Sequence, residues 1–127
     1  MPSLKQLYKG VKKTVVALVE DKQSPVMEYL KSLDARSKKK MKQLMKYMAA
    51  TGIISNTELF RHVGNHIYEF KVHKPRAARI FCFFDGYLVI CTYGKDKPGK
   101  RQLKIEVQKA MQKRQCYKKG VRDAHRS

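Results

Sequence analysis

The sequence is short of acid. Against 29 Lys and Arg it sets only 10 Asp and Glu, a formal charge of +19 on 127 residues. Such an imbalance resists compaction and favours a polyanionic partner: most often nucleic acid, less often a membrane surface or an acidic protein. Cysteine is scarce too. Cys82, Cys91 and Cys116 are odd in number and too few for a disulfide scaffold, so they read as reduced thiols of a cytoplasmic protein. Long apolar runs are missing. Val15-Val16-Ala17-Leu18-Val19 is too short for a signal-peptide core or a membrane span, which reads against secretion and membrane insertion. There is no CxxC, and His62, His66, His73 and His125 have no partners at metal-ligand spacing, so neither a metal nor a cofactor is expected. The segment from Gly94 to Gly99 lacks the spacing and the Ser or Thr of a Walker loop. With Cys82 and Cys91 inside apolar stretches, no serine or cysteine nucleophile is supported. Internal repeats and low-complexity linkers are absent.

What remains is enough for one packed domain over residues 1–127, since 43% of the chain is hydrophobic. The ends, 1–10 and 118–127, read as flexible. Charge is uneven: residues 1–50 carry 12 basic and 4 acidic side chains, residues 51–100 carry 8 and 4, and residues 101–127 carry 9 and 2. The middle is thus the apolar part, flanked by two basic ends.

The β-branched run over 11–19 predicts a first strand. Ser24-Pro25 supplies an N-cap and a proline at the first helical position, opening a short amphipathic helix through Leu33. A second helix starts near Asp34 or Ser37, carries Met41, Leu44, Met45 and Met48 at helical spacing as core, and ends at Thr51-Gly52. From Ile67 the period becomes 2, with Tyr68, Phe70 and Val72 on one face and Glu69, Lys71 and His73 on the other. Residues 77–84 and 87–93 form two further strands around Asp85-Gly86, a hairpin signal that sets Phe84 opposite Tyr87 and Cys82 opposite Val89. Ile80, Cys82, Phe84, Tyr87, Val89 and Cys91 then share one face; Arg79, Phe81, Phe83, Leu88, Ile90 and Thr92 share the other. Both faces need covering, so the phenylalanines are assigned to the core in preference to base stacking. Cys82 and Cys91 become diagonal neighbours. A basic loop from Gly94 to Gly99 leads to a last helix with a narrow Leu103, Val107, Ala110, Met111 stripe. The expected fold is α+β: an N-terminal strand and a helical hairpin packed on an antiparallel sheet, with a C-terminal helix.

The residues left to carry chemistry are basic and polar. Glu69, Lys71 and His73 project from one strand, Arg76 and Arg79 follow, and Lys95 and Lys97 lie just past the last strand. Such a cluster can bind phosphate and stabilise the charge that develops in phosphodiester cleavage. The competing reading is a solvated strand face with ordinary surface charges.

The run Ile67-Tyr-Glu-Phe-Lys-Val, then Ala78-Arg79-Ile-Phe-Cys-Phe-Phe-Asp-Gly86, then an apolar strand ending in Gly94-Lys95, resembles the phage-related HigB-like branch of the RelE/ParE toxin superfamily. The likeness is best over residues 66–117. It implies the toxin of a type II toxin–antitoxin module, an mRNA endonuclease acting on ribosome-bound transcripts without a metal. In such enzymes the substrate's own 2′-hydroxyl attacks the adjacent phosphate while basic residues orient it and neutralise the charge. By position Lys71 contacts the scissile phosphate, Arg79 stabilises the transition state and Lys95 follows the strand-end glycine. Glu69 is either a general base or the group that holds Lys71; His73 and Tyr93 complete the catalytic candidates. Arg76, Lys97, Lys100, Arg101 and Tyr117 are candidates for RNA binding. Three departures stand out: Asp96 where RelE has arginine, so that either Lys97 substitutes or the role is missing; Gln102 in place of RelE's late tyrosine, with Tyr93 and Tyr117 as candidate replacements; and Ala78 before Arg79 in place of tyrosine. General acid and base stay unassigned. The resemblance also implies an acidic antitoxin partner bearing a helix-turn-helix. Two alternatives stay open: a ParE-like inhibitor of DNA gyrase, and a basic nucleic-acid-binding protein without catalysis.

Overall fold

A computed structural model describes residues 2–126 of the chain. The elements in order are β1 (Ser3–Lys9), β2 (Thr14–Val19), α1 (Pro25–Ser32), α2 (Ala35–Thr51), β3 (Phe60–Gly64), β4 (Ile67–Val72), β5 (Ala78–Asp85), β6 (Leu88–Asp96) and α3 (Lys100–Arg126). The six strands make one sheet, ordered β1-β2-β6-β5-β4-β3. Every neighbouring pair is antiparallel except β2 and β6, which run parallel. The α+β architecture expected from the sequence is the one observed.

Local chemistry explains the helix bounds. The Ser24 side chain accepts a hydrogen bond from the Met27 amide, and Pro25 takes the first helical position of α1. Asp34 caps α2 by accepting from the Ser37 amide, and Gly52, at φ 79°, closes it in the left-handed conformation. Met41, Met45 and Met48 lie one turn apart and are fully buried.

Two cores sandwich the sheet. Val15, Ala17, Phe70, Ile80, Cys82 and Cys91 face α1 and α2, while Val16, Leu18, Phe81, Phe83 and Ile90 face α3 through Val107, Ala110 and Tyr117. β2 is buried on both faces, which is why its sequence is continuously apolar and does not alternate. Among the described residues no helix is long and apolar enough to cross a membrane.

Two expectations are corrected. The β5–β6 turn is Gly86-Tyr87, with Asp85 opposite Leu88, so the pairing lies two residues from the one expected. A slip of two preserves the face of every side chain, whereas a slip of one would invert it; the two apolar faces therefore came out as read, apart from the exposed Tyr87. Cys82 and Cys91 are directly opposed across the hairpin, not diagonal, and both are buried thiols. At the ends, where flexible segments are expected at 1–10 and 118–127, both segments carry secondary structure. Ser3–Lys9 pair with β2 as an edge strand, and α3 runs on to Arg126; Met1 and Ser127 lie outside the described residues.

Candidate functional site

The pairing of β4, β5 and β6 sets Lys71 opposite Arg79, and Arg79 opposite Lys95. Three cationic residues from distant parts of the sequence thus form one row across the middle of the sheet, on the face that α3 covers. A bulge at Thr92 makes this possible: beyond Cys82 and Cys91 the register jumps, and Tyr93 pairs with Phe81. Next to the cationic row, Glu69 pairs with Phe81.

The row is not a solvated strand face. Glu69 is 1% exposed, Arg79 2% and Lys71 7%. Burying charge is costly unless partners are supplied, and here they are. Arg61 of β3, directly opposite Glu69 in the pairing, donates from Nη2 to Glu69 Oε1 at 2.8 Å. Arg79 Nε lies 4.0 Å from the same oxygen, and its Nη1 donates to the carbonyls of Val72 and Ala78 at 2.8 and 3.0 Å. Lys71 Nζ donates to the Thr57 carbonyl at 3.2 Å. Burial, with the nearby Arg61 adding to it, pulls the Lys71 pKa down, and burial does the same to Arg79.

These groups line an open-mouthed depression of about 330 Å³, with Arg61, Glu69, Lys71, His73, Arg79 and Lys97 in its walls. His73 stands at its rim, its Nε2 donating to the Glu58 carbonyl. Pro98 and Leu103 close one side, so the N-terminal turn of α3 borders the cavity and adds its positive end to the field. Cations outnumber carboxylates around the depression, and the geometry suits a phosphate.

The structure thus brings Glu69, Lys71, His73, Arg79 and Lys97 together. Lys95 shares the row through its backbone, but its ammonium points to Glu106 of α3, 3.5 Å away. Tyr93 is tied to the same residue, donating to the Glu106 carbonyl at 2.7 Å; burial and the Glu106 charge push its pKa up. Lys100 and Arg101 are exposed on the first turn of α3. Two RNA-binding candidates sit elsewhere. Arg76 is engaged with Asp96 at 2.7 Å and with the Ser32 carbonyl, in a clasp that Tyr29 completes by donating to Asp96 at 2.8 Å. Burial works against the Asp96 charge, but the bonds from Arg76 and Tyr29 hold its pKa below the usual range. Tyr117 is buried against Phe83 and donates to Asp85 at 2.8 Å, at the hairpin turn.

The sequence reading missed Arg61 and Glu106. Gly64-Asn65-His66 was an unread turn signal, with Asn65 and His66 at φ 50° and 66°; read as a hairpin, it would have placed Arg61 beside Glu69. Glu106 carried no signal, because an acid among lysines on a helix looks like any surface pair. Gly94 is required by a close approach: a Cβ there would collide with the Tyr29 ring.

A model of the family described as phage derived protein Gp49-like (DUF891) matches residues 28–115, a span holding every candidate site residue except Tyr117. No curated protein matches the chain.

Proposed function

The chain belongs to the phage-derived Gp49-like family, and on that premise we propose that it is the toxin of a type II toxin–antitoxin module, an endoribonuclease that cuts ribosome-bound mRNA. The observation that carries the reading is the buried Lys71–Arg79 pair, held beside Glu69 in a depression where cations outnumber carboxylates. A surface that only attracted nucleic acid would keep its cations hydrated. Desolvated, fixed cations are what stabilises charge that develops on a reacting phosphate.

In this mechanism the substrate's 2′-oxygen attacks the adjacent phosphorus. The new 2′-O–P bond forms as the bond to the 5′-oxygen breaks, leaving a cyclic phosphate and a free 5′-hydroxyl. Lys71 and Arg79 face the phosphate oxygens. Glu69 fixes the guanidinium groups of Arg61 and Arg79, and His73 serves the proton that passes from the 2′-hydroxyl to the leaving 5′-oxygen. Lys97 at the mouth, with Lys100 and Arg101, draws in the neighbouring phosphates. An acidic antitoxin would neutralise the +19 charge.

Induction in cells followed by mapping of transcript 5′ ends tests this directly. New ends within reading frames and arrested growth are expected. Lys71→Met should lower cleavage by about 10²- to 10³-fold, the usual loss of one fixed donor to a transition state. Intact transcripts, or a Lys71→Met protein that cuts normally, overturn the reading. Loss of gyrase supercoiling in its place would support a ParE-like target.

A further inference from the structure

A second cavity lies beyond the same wall. Between α2 and the end of β4 there is a chamber of about 690 Å³, with Leu44, Tyr47, Ile54, Leu59 and Val72 giving it a mainly apolar lining. It lies where β3 ends its pairing at Phe60 and Phe70, so that the last residues of β4 have a paired strand on the β5 side alone. Lys71 and His73 line both this chamber and the polar depression, so the two cavities meet at one wall. Lys40, Lys71 and Lys74 are its charged members, and no carboxylate lines it among the described residues. Lys40 Nζ donates to the Lys74 carbonyl at 2.7 Å, tying α2 to the far lip.

We propose that this chamber seats an unpaired nucleobase of a single-stranded substrate, directly next to the phosphate held in the polar depression. A nucleotide has two halves of opposite character, a flat neutral base and a charged phosphate, and here an apolar compartment and a cationic one share a wall. Tyr47 is the aromatic group of the chamber and is 56% exposed. Such a large apolar ring, left in water on an otherwise basic helix, is suited to stack on a base. Gln43 and Ser55 at the rim supply hydrogen-bonding groups for a base edge. The cavity size falls within the usual range for small-molecule and cofactor pockets, roughly 300–1,000 Å³. An acidic peptide fits less well, since it would satisfy the lysines and leave the apolar floor unfilled. The inference rests on the nuclease reading for the identity of the neighbouring phosphate. It assigns Tyr47 as the residue that sets base preference beside the cleavage point.

The test uses the whole chain and a short single-stranded oligodeoxynucleotide, which has no 2′-hydroxyl and cannot be cut by this chemistry. Its affinity is compared with that of the same backbone made abasic, which carries the same charge. The base-bearing strand should bind roughly tenfold more tightly, the gain typical of one stacked base. Tyr47→Ala should erase that difference while leaving the abasic affinity unchanged, and Tyr47→Phe should keep it. Equal affinities for the two strands overturn the proposal, as does a base preference that survives Tyr47→Ala. A glutamate-rich peptide whose binding needs Tyr47, with no base preference alongside it, assigns the chamber to a protein partner and likewise overturns it. Because the probe cannot be cleaved, uncut transcripts in induced cells would sink the nuclease reading alone and leave a base preference standing as a nucleotide site.

Discussion

Glu69 holds more of the site than any other single side chain. Its carboxylate sits between the Arg61 and Arg79 guanidinium groups and is itself buried. Removing one partner of a buried charge pair strands the other, at a cost of about 3–5 kcal/mol. Glu69→Gln is therefore expected to lower stability by roughly 3 kcal/mol in denaturant titration, and to reduce cleavage because Arg79 loses its anchor. A variant as stable as the parent would show that the carboxylate is not what fixes the guanidinium groups. Tyr117 makes the opposite case. Its hydroxyl serves Asp85 at the hairpin turn, far along the sheet from Lys71; burial, and then Asp85, push its pKa up to about 12. Tyr117→Phe should cost about 1 kcal/mol, the net worth of one hydrogen bond, with cleavage and oligonucleotide affinity unchanged. Any drop in cleavage rate at full folding would return Tyr117 to the substrate surface.

Elements differ in how much of themselves they determine. α1 and α2 carry their own start and stop chemistry, and both formed where the caps said they would. Asp34→Ala should lower the thermal unfolding midpoint through the lost cap; no change would mean that packing of the methionine face alone holds α2. β1 and β3 carry no such chemistry. The β1 sequence, Ser-Leu-Lys-Gln-Leu-Tyr-Lys, is mostly exposed, and β3 is short and half polar. Both are edge strands whose conformation is decided by the neighbour that completes their hydrogen bonds. The β5–β6 hairpin lies between these cases: its alternation fixed which side chains go to which face, while its turn settled the pairing two residues away from the dipeptide expected to form it.

At the scale of the whole molecule, buried neutral acids set the response to alkali. Desolvation pushes the Cys91 thiol up to about 12 and the Cys82 thiol well above its ordinary 9.0, the neighbouring Cys91 adding to the latter. Burial also raises Tyr29, Tyr93 and Tyr117. Each of these groups keeps its proton in the fold at a pH where the unfolded chain has lost it. The unfolded state then binds fewer protons, and stability falls as pH rises. The contribution is complete below about pH 9 and is lost between about 9 and 12. Lys71 and Arg79, whose pKa values are lowered by burial, act in the reverse sense but are outnumbered by the raised thiols and phenols. Denaturant midpoints should drop over that window, and a Cys82→Ala, Cys91→Ala double variant should drop less steeply. A flat profile would show that the two thiols and three phenols are not held neutral by the fold.

The sequence by itself determined the excess of basic charge, the two helical caps and the faces of the central strands, and it singled out Lys71 and Arg79 as candidates, because charge, capping and period-2 alternation are local properties of the chain. Only the tertiary structure decided that these two cations are buried side by side, that Arg61 serves them through Glu69, and that Lys95 and Tyr93 are held by Glu106. It also decided that Arg76 and Tyr117 stand apart from the site. Those outcomes depend on strand register, on a bulge at Thr92 and on where α3 lies across the sheet, and each of these brings together residues that are remote in the chain.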